Sequence, residues 1–442
     1  MKKYIIALLV AAAIGNTARA QNKAYETTVD GVKVIVQPSG NDIVEVQTII
    51  KGGVQNYPAT KAGIESLAMS ALTECGTVKH DKNSFKDELD KVSAAVYGSS
   101  NKNYSVVRMN CIKGDFDTVW PLYAEAITQP RFDEKEFARI KQDAINNLKQ
   151  EDSQPDNAID KYADKIAFAG TNYAKDPSGT VPIITALTAA ETKAYYQSIL
   201  TKSRLLIVVV ADLDQATIEA KVKAMLAGVK QGSSFAFKKS SFSTQKNSIN
   251  VEKRDLATNY VEGIASGPAA GTPDFNAFNV AMRIFSNMHF LEVRTNNGLS
   301  YAPQAWFSAG QTSTARFSVS TTQPDKYIAV FDKLVDKIKR EGFKPEDVAD
   351  MKITYLTGFY YKNETNSAQA SSIAANEVLH DNWQRSLTLV DDVKKLTVDE
   401  VSNAFRKYIN NIVWVYQGDP KKVNQVLYIN GTLNKGENPV SH

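Results

Sequence analysis

The sequence predicts an α+β protein made by tandem duplication, two similar units of mostly antiparallel sheet packed against helices. The repeats carry most of this. Residues 116–141, FDTVWPLYAEAITQPRFDEKEFARIK, align without a gap to 327–352, YIAVFDKLVDKIKREGFKPEDVADMK. Phe116 meets Tyr327, Trp120 meets Phe331, Phe132 meets Phe343 and Lys141 meets Lys352. A second pair, 187–214 and 396–420, opens each time on Leu-Thr and an acid-started helix, then runs into an apolar strand. Strand patterning is the third observation. GVKVIVQPSG and IVEVQTIIKGG alternate apolar and polar residues, YSVVRMNCIK more loosely, which predicts a sheet with one covered face. Repeats in one order, spaced by the ordinary size of a domain, mark a duplication.

Taken in order, the chain opens with Lys2 and Lys3, an apolar run from Tyr4 to Ile14, and Ala18-Arg19-Ala20. That is a secretory leader, 1–20, too short to span a bilayer. Gln21 follows where a lipid-anchored protein has Cys, so the expectation is a soluble exported protein, periplasmic in a bacterium. Removing Lys2, Lys3 and Arg19 takes the net charge from +4 to +1, which is no nucleic-acid or anionic-membrane footprint. The first unit then spans 21–229. Residues 230–248, rich in Ser, Lys and Gly, read as a linker with Phe235 and Phe237 as its anchors. The second unit spans 249–442. Cys75 and Cys111 make no disulfide framework; they read as two buried thiols, with a single bridge as the alternative.

The residue inventory excludes much chemistry. The four histidines, His80, His289, His380 and His442, include no pair one helical turn apart, as a zinc site on one helix requires. His289, in HFLE, reads as a buried helical histidine rather than a ligand. Neither a Gly-x-Ser-x-Gly elbow, a Walker loop nor a dinucleotide fingerprint is present.

Several stretches together resemble the pitrilysin/insulinase-like zinc metallopeptidases, in particular the two-domain bacterial branch similar to mitochondrial processing peptidase. They are KGGVQNYPATKAGIESLAMSALTECGT at 51–77, NYAKDPSGT at 172–180 and EVRTNNGLSY at 292–301, set in duplicated units. Family members that cleave peptides carry His-x-x-Glu-His on the helix that here lies within 62–77. Laid on that motif, the first His position falls on Ser66, the Glu on Met69 and the second His on Ser70. The resemblance therefore implies a helix without metal ligands or base, while Ile64, Leu67, Ala68, Ala71 and Leu72 keep its apolar face. The family's downstream glutamate ligand falls within 143–155 and is not assigned to a residue.

Arg294 and Tyr301, in RTNNGLSY, match an Arg and Tyr that the family uses to hold the scissile peptide. Read from the residues alone, Arg294 caps a helix and Tyr301 packs on a strand that shares a face with Leu299 and Phe307. The resemblance favours the other reading, two preset donors to one carbonyl oxygen on the inner wall of a cleft between units that close like a clam. The implied function is a zinc-free, non-catalytic subunit of an exported heterodimeric metallopeptidase. It carries no cofactor itself; zinc is expected on a homologous partner subunit, and the ligand is an extended peptide. A catalytically inactive peptide-binding or scaffold protein is the alternative, and a stand-alone zinc peptidase a third reading.

Overall fold

The computed structural model describes residues 23–238 and 241–431, so the expected leader lies outside the described residues. The first unit supplies β1 Tyr25–Val29, β2 Val32–Pro38, β3 Ile43–Lys51, β4 Ala95–Ser100, β5 Tyr104–Ile112 and β6 Leu205–Ala211, in the order β1-β2-β6-β3-β5-β4. The second supplies β7 Ser248–Lys253, β8 Asn259–Ser266, β9 Gln304–Ser308, β10 Thr314–Thr321 and β11 Ile412–Gly418, in the order β7-β11-β8-β10-β9. With β2 set against β7 the two orders coincide. Each sheet even has one parallel pair at the same place, β2 with β6 and β7 with β11. β1 is an addition, the antiparallel hairpin partner of β2.

Helices repeat as the sequence predicts. Phe116–Thr128 and Glu134–Ser153 answer to Pro324–Glu341 and Pro345–Lys362, and Phe132 and Phe343 between them are both buried. Thr188 and Thr397 cap the helices Ala189–Ile199 and Val398–Tyr408, each side chain accepting from the backbone N–H of the glutamate three residues on. That is the cap a Thr-x-x-Glu sequence favours.

One expectation needs correcting: the first sheet is covered on both faces, not one. β6 is buried along its whole length. Leu205, Ile207 and Val209 point into the first unit's own helices. Leu206, Val208 and Val210 instead meet Ala370, Ile373, Ala374 and Val378 of helix Asn366–His380, which belongs to the second unit. The polar residues of β3 are not solvent-facing either. Gln47 is buried and donates to Ser371 Oγ at 3.0 Å and to the Ser367 carbonyl at 3.3 Å.

The exchange is reciprocal. Helix Pro155–Ala167 of the first unit lies on β8 and β11, burying Ile159 and Ala163 with Ile264 and Val415. On the same face Arg316 of β10 pairs with Glu262 at 2.9 Å, with Asp160 at 2.8 Å and with Asp164, joining sheet to borrowed helix. A clam hinged between the units would have to strip both helices from both sheets. The expected cleft there is a packed interface instead. Residues of 230–248 are held down as well: Phe235 lies 4.3 Å beneath the Arg204 guanidinium, and Phe242 packs on Phe168 at 5.6 Å. Among the described residues no helix is long and apolar enough to cross a membrane.

Candidate functional site

Helix Ile64–Glu74 follows β3 and lies against the edge strand β4. The approach is close because Gly98 of β4 has no side chain: a Cβ there would stand 2.4 Å from the Met69 carbonyl oxygen. Ile64, Leu67, Ala68, Ala71 and Leu72 are buried as the helical spacing predicts. Glu65 also turns inward. It accepts from Asn56 Nδ2 at 3.0 Å and bonds to the Ser105 and Tyr195 hydroxyls, and burial raises its carboxyl above the usual range. With Glu65 committed inward, Ser66 and Ser70, one turn apart, face outward.

There they line a cavity of about 300 Å³ whose other wall is helix Glu134–Ser153. Asp143, Asn147 and Glu151 come to it from that helix at steps of four, one per turn. All three fall within 143–155, the stretch in which the sequence left the glutamate ligand unassigned. Their spacing was visible, but which turn faces the serines is a property of the packing. Met69 is fully buried rather than part of the lining.

The cavity does not suit zinc. Ser66 and Ser70 stand at the two imidazole positions of the motif, and they are weak zinc donors. Arg139, a fixed cation, lines the same space. It pairs with Glu74 at 2.6 Å, Glu136 at 2.9 Å and Asp143 at 2.9 Å. Burial alone would raise the Glu74 carboxyl, but hydrogen bonds from Lys86 and Arg139 hold it below its usual range. The local negative charge is thus met by side chains. Among the described residues no group of three or more His, Cys, Asp or Glu is arranged to hold a metal.

Arg294 and Tyr301 do come together. Helix Asp274–Phe290 runs on into a π-helical turn, Leu291–Asn296, and ends as Gly298 N–H bonds the Arg294 carbonyl at 3.1 Å. Gly298 has φ +59°, which suits the residue without a Cβ at a helix end. The chain thereby folds back and lays Tyr301 beside Arg294: the guanidinium is 4.1 Å from the Tyr301 ring centre and 5.1 Å from that of Phe290. Tyr301 is 78% exposed, so it is not core. It is not on a strand either, which corrects that expectation. β9 begins at Gln304, immediately after Pro303, whose missing N–H ends the ladder. Leu299 turns inward and is buried, so it does not share an outward face with Tyr301. Arg294 and Tyr301 thus lie together in the second unit, whereas first-unit residues alone line the serine cavity.

His289 is a core histidine. It is fully buried, its Nε2 lies 3.2 Å from the Tyr327 hydroxyl, and burial pushes its pKa down to about 3. Cys75 and Cys111 are buried free thiols, which burial pushes up to about 12 and about 11.

Comparison with known proteins agrees with the fold. Residues 33–181 match the model of the insulinase family, peptidase family M16, and residues 186–355 match that of the peptidase M16 inactive domain. A Rickettsia felis protein described as an uncharacterized zinc protease is 19% identical over 384 residues, 84% of this chain and 91% of that one. A peptidase M16 inactive domain from Pseudomonas fluorescens superposes with a TM-score of 0.82 at 19% identity, over 91% of this chain and 99% of that one. A Helicobacter pylori protease gives 0.78 at 17% identity, over 90% and 99%.

Proposed function

We propose that this chain, which belongs to the insulinase-like family of peptidases and lacks its zinc motif, is the non-catalytic subunit of an exported two-chain peptidase. In this reading it binds an extended peptide and presents Arg294 and Tyr301 to the scissile carbonyl, while a homologous partner supplies the zinc. The observation that carries it is the state of the Arg294 guanidinium. Among the described residues it has no hydrogen bond or ion pair, yet two aromatic rings hold it in place. A fork so oriented and so unused is a preset donor, and the neighbouring phenol adds a second.

The edge strand β4 supports the peptide part. It is the last strand of its sheet, adjoins the helix of Ser66 and Ser70, and offers a row of backbone groups to an added strand. An expected leader at 1–20 supports export.

The test is co-purification from the native host, metal analysis of each chain, and then Tyr301→Phe in the complex. Phenylalanine keeps the ring under Arg294 and removes one hydroxyl. Each preset donor to a developing oxyanion is worth about 3 kcal/mol, so the rate should fall roughly a hundredfold. Arg294→Lys should also lower it, because an ammonium lacks the fork. Full activity in both variants would leave this chain a scaffold, and zinc found on this chain would overturn the division of labour.

A further inference from the structure

The helix that delivers Arg294 carries a second guanidinium on its way, one that meets no carboxylate among the described residues. Asn279, Arg283, Ser286 and Asn287 line an open cavity of about 380 Å³, together with Trp306 of β9 and Met351 of helix Pro345–Lys362. Arg283 is held in place: its guanidinium lies 4.7 Å from the centre of the Tyr355 ring, and Nε donates to Asn279 Oδ1 at 3.3 Å. Arg385 reaches the same helix one turn earlier, donating to Asn276 Oδ1 at 3.2 Å, and its buried Nε has no partner. Both cations bear on Tyr355, whose ionisation burial opposes and the two guanidiniums favour.

Among the described residues neither Arg283 nor Arg385 is within ion-pair distance of a carboxylate. Arg139 and Arg316, by contrast, each meet three. The second unit therefore presents an exposed fork, held by one ring and one amide, at the side of an open cavity, with no carboxylate to answer its charge. Beside that cavity runs β9, the free edge of its sheet.

We infer that Arg283 reads a carboxylate of the bound peptide, an Asp or Glu side chain or the C-terminal carboxylate, at a fixed distance from the carbonyl held by Arg294 and Tyr301. The inference rests on the peptide-binding reading above. The distance follows from the helix: eleven residues at about 1.5 Å each separate Arg283 from Arg294, roughly 16 Å, or about five residues of extended peptide at 3.3 Å each. A carboxylate meets the guanidinium with two parallel hydrogen bonds, whereas a neutral amide has one acceptor and two N–H groups that the fork repels.

The test uses the isolated chain and three otherwise neutral peptides of fourteen residues carrying an uncharged BODIPY dye, read by anisotropy at low salt. One has an amidated C-terminus and a single central Glu, the second has Gln in its place, and the third is the Gln peptide with a free C-terminus. At least one carboxylate peptide should bind about tenfold tighter than the Gln amide, and which one does so identifies the source. Arg283→Gln should collapse that ratio towards one, and Arg283→Lys should restore part of it. Tyr301→Ala should weaken all three peptides and leave the ratio standing. Equal affinity for the three peptides, still weakened by Tyr301→Ala, overturns the role of Arg283 and spares the peptide site. A ratio that survives Arg283→Gln overturns it too. Binding of none of the peptides sinks both readings.

Discussion

Arg316→Met tests whether the two units are one body. Arg316 is 5% exposed and is the cation of a network whose carboxylates come from both units, Glu262 of β8 and Asp160 and Asp164 of helix Pro155–Ala167. Methionine keeps most of the stem and removes the charge. Glu262, 1% exposed, is then left facing Asp164 with only Lys102 as a cation, through its pair with Asp164. Breaking a buried pair from one side costs about 3–5 kcal/mol. Asp160, 54% exposed, adds little because water screens it, so the lower end of about 3 kcal/mol is expected. Urea unfolding followed by tryptophan fluorescence is the assay, since Trp120 and Trp414 report the two cores and Trp383 the interface. The pH arm has a defined sign. In the variant, burial and the nearby Asp160 and Asp164 keep the Glu262 carboxyl above its unfolded value. Its cost is full above the folded value and vanishes below about pH 4, where it is protonated in both states. The gap between wild type and variant should therefore narrow on acidification. A loss under about 1 kcal/mol at pH 7, or a gap that widens as pH falls, would refute the argument.

Other outcomes follow from the same contacts. Glu262 in the wild type is already raised well above the usual carboxylate range, by burial first and then by Asp160 and Asp164 against the pull of Arg316. The stability it contributes is present below about pH 4.5 and lost as pH rises through the folded value, so Glu262→Gln should gain on wild type from pH 5 to pH 8; a flat difference in melting temperature would contradict this. Gly98→Val puts a Cβ 2.4 Å from the Met69 carbonyl and should cost about 1–3 kcal/mol by overpacking, measured by denaturant titration; a neutral result would mean the helix can shift. The purified chain should hold no stoichiometric zinc, whereas Ser66→His, Ser70→His and Asn147→Glu combined should bind it, since all three positions line one cavity. Calorimetric titration decides, and a folded triple variant blind to zinc would show that the three positions do not converge.

What could be read from the sequence was local or repeated. The helix pairs following β5 and β10 announced themselves because the same turn, with its buried Phe, is written twice. The apolar face of Ile64–Glu74 was legible because a helix shows its buried side at a period of 3.6. Partners were not legible. Alternation in β3 separates two faces but cannot say that the face of Glu45 and Gln47 meets another unit's helix rather than water. Helix Asn366–His380 likewise carries Ala370, Ile373, Ala374 and Val378 on one side without naming the sheet they cover. Tyr301 is a different case, because Pro303, which has no N–H to give a ladder, separates it from β9 in the sequence itself.

The exchange of helices bears directly on how a peptide can be handled. A bilobal chain with a free hinge can enclose a ligand alone, and the donors of one lobe can swing onto the chemistry of the other. Here each lobe's second sheet face is occupied by a helix from its neighbour, and a buried guanidinium ties β10 to one of them. Such a body resists opening, because the apolar clusters and the ion network would have to come apart together. Relative motion of packed domains is the default only where the interface is small and polar. The serine-lined cavity and the Arg294–Tyr301 pair therefore lack a hinge that could bring them onto one bond. If the donor pair acts on a peptide bond, the reacting centre has to arrive from outside this chain, and the surface it would meet is the one on which Phe290 and Tyr301 stand exposed on either side of the half-buried Arg294.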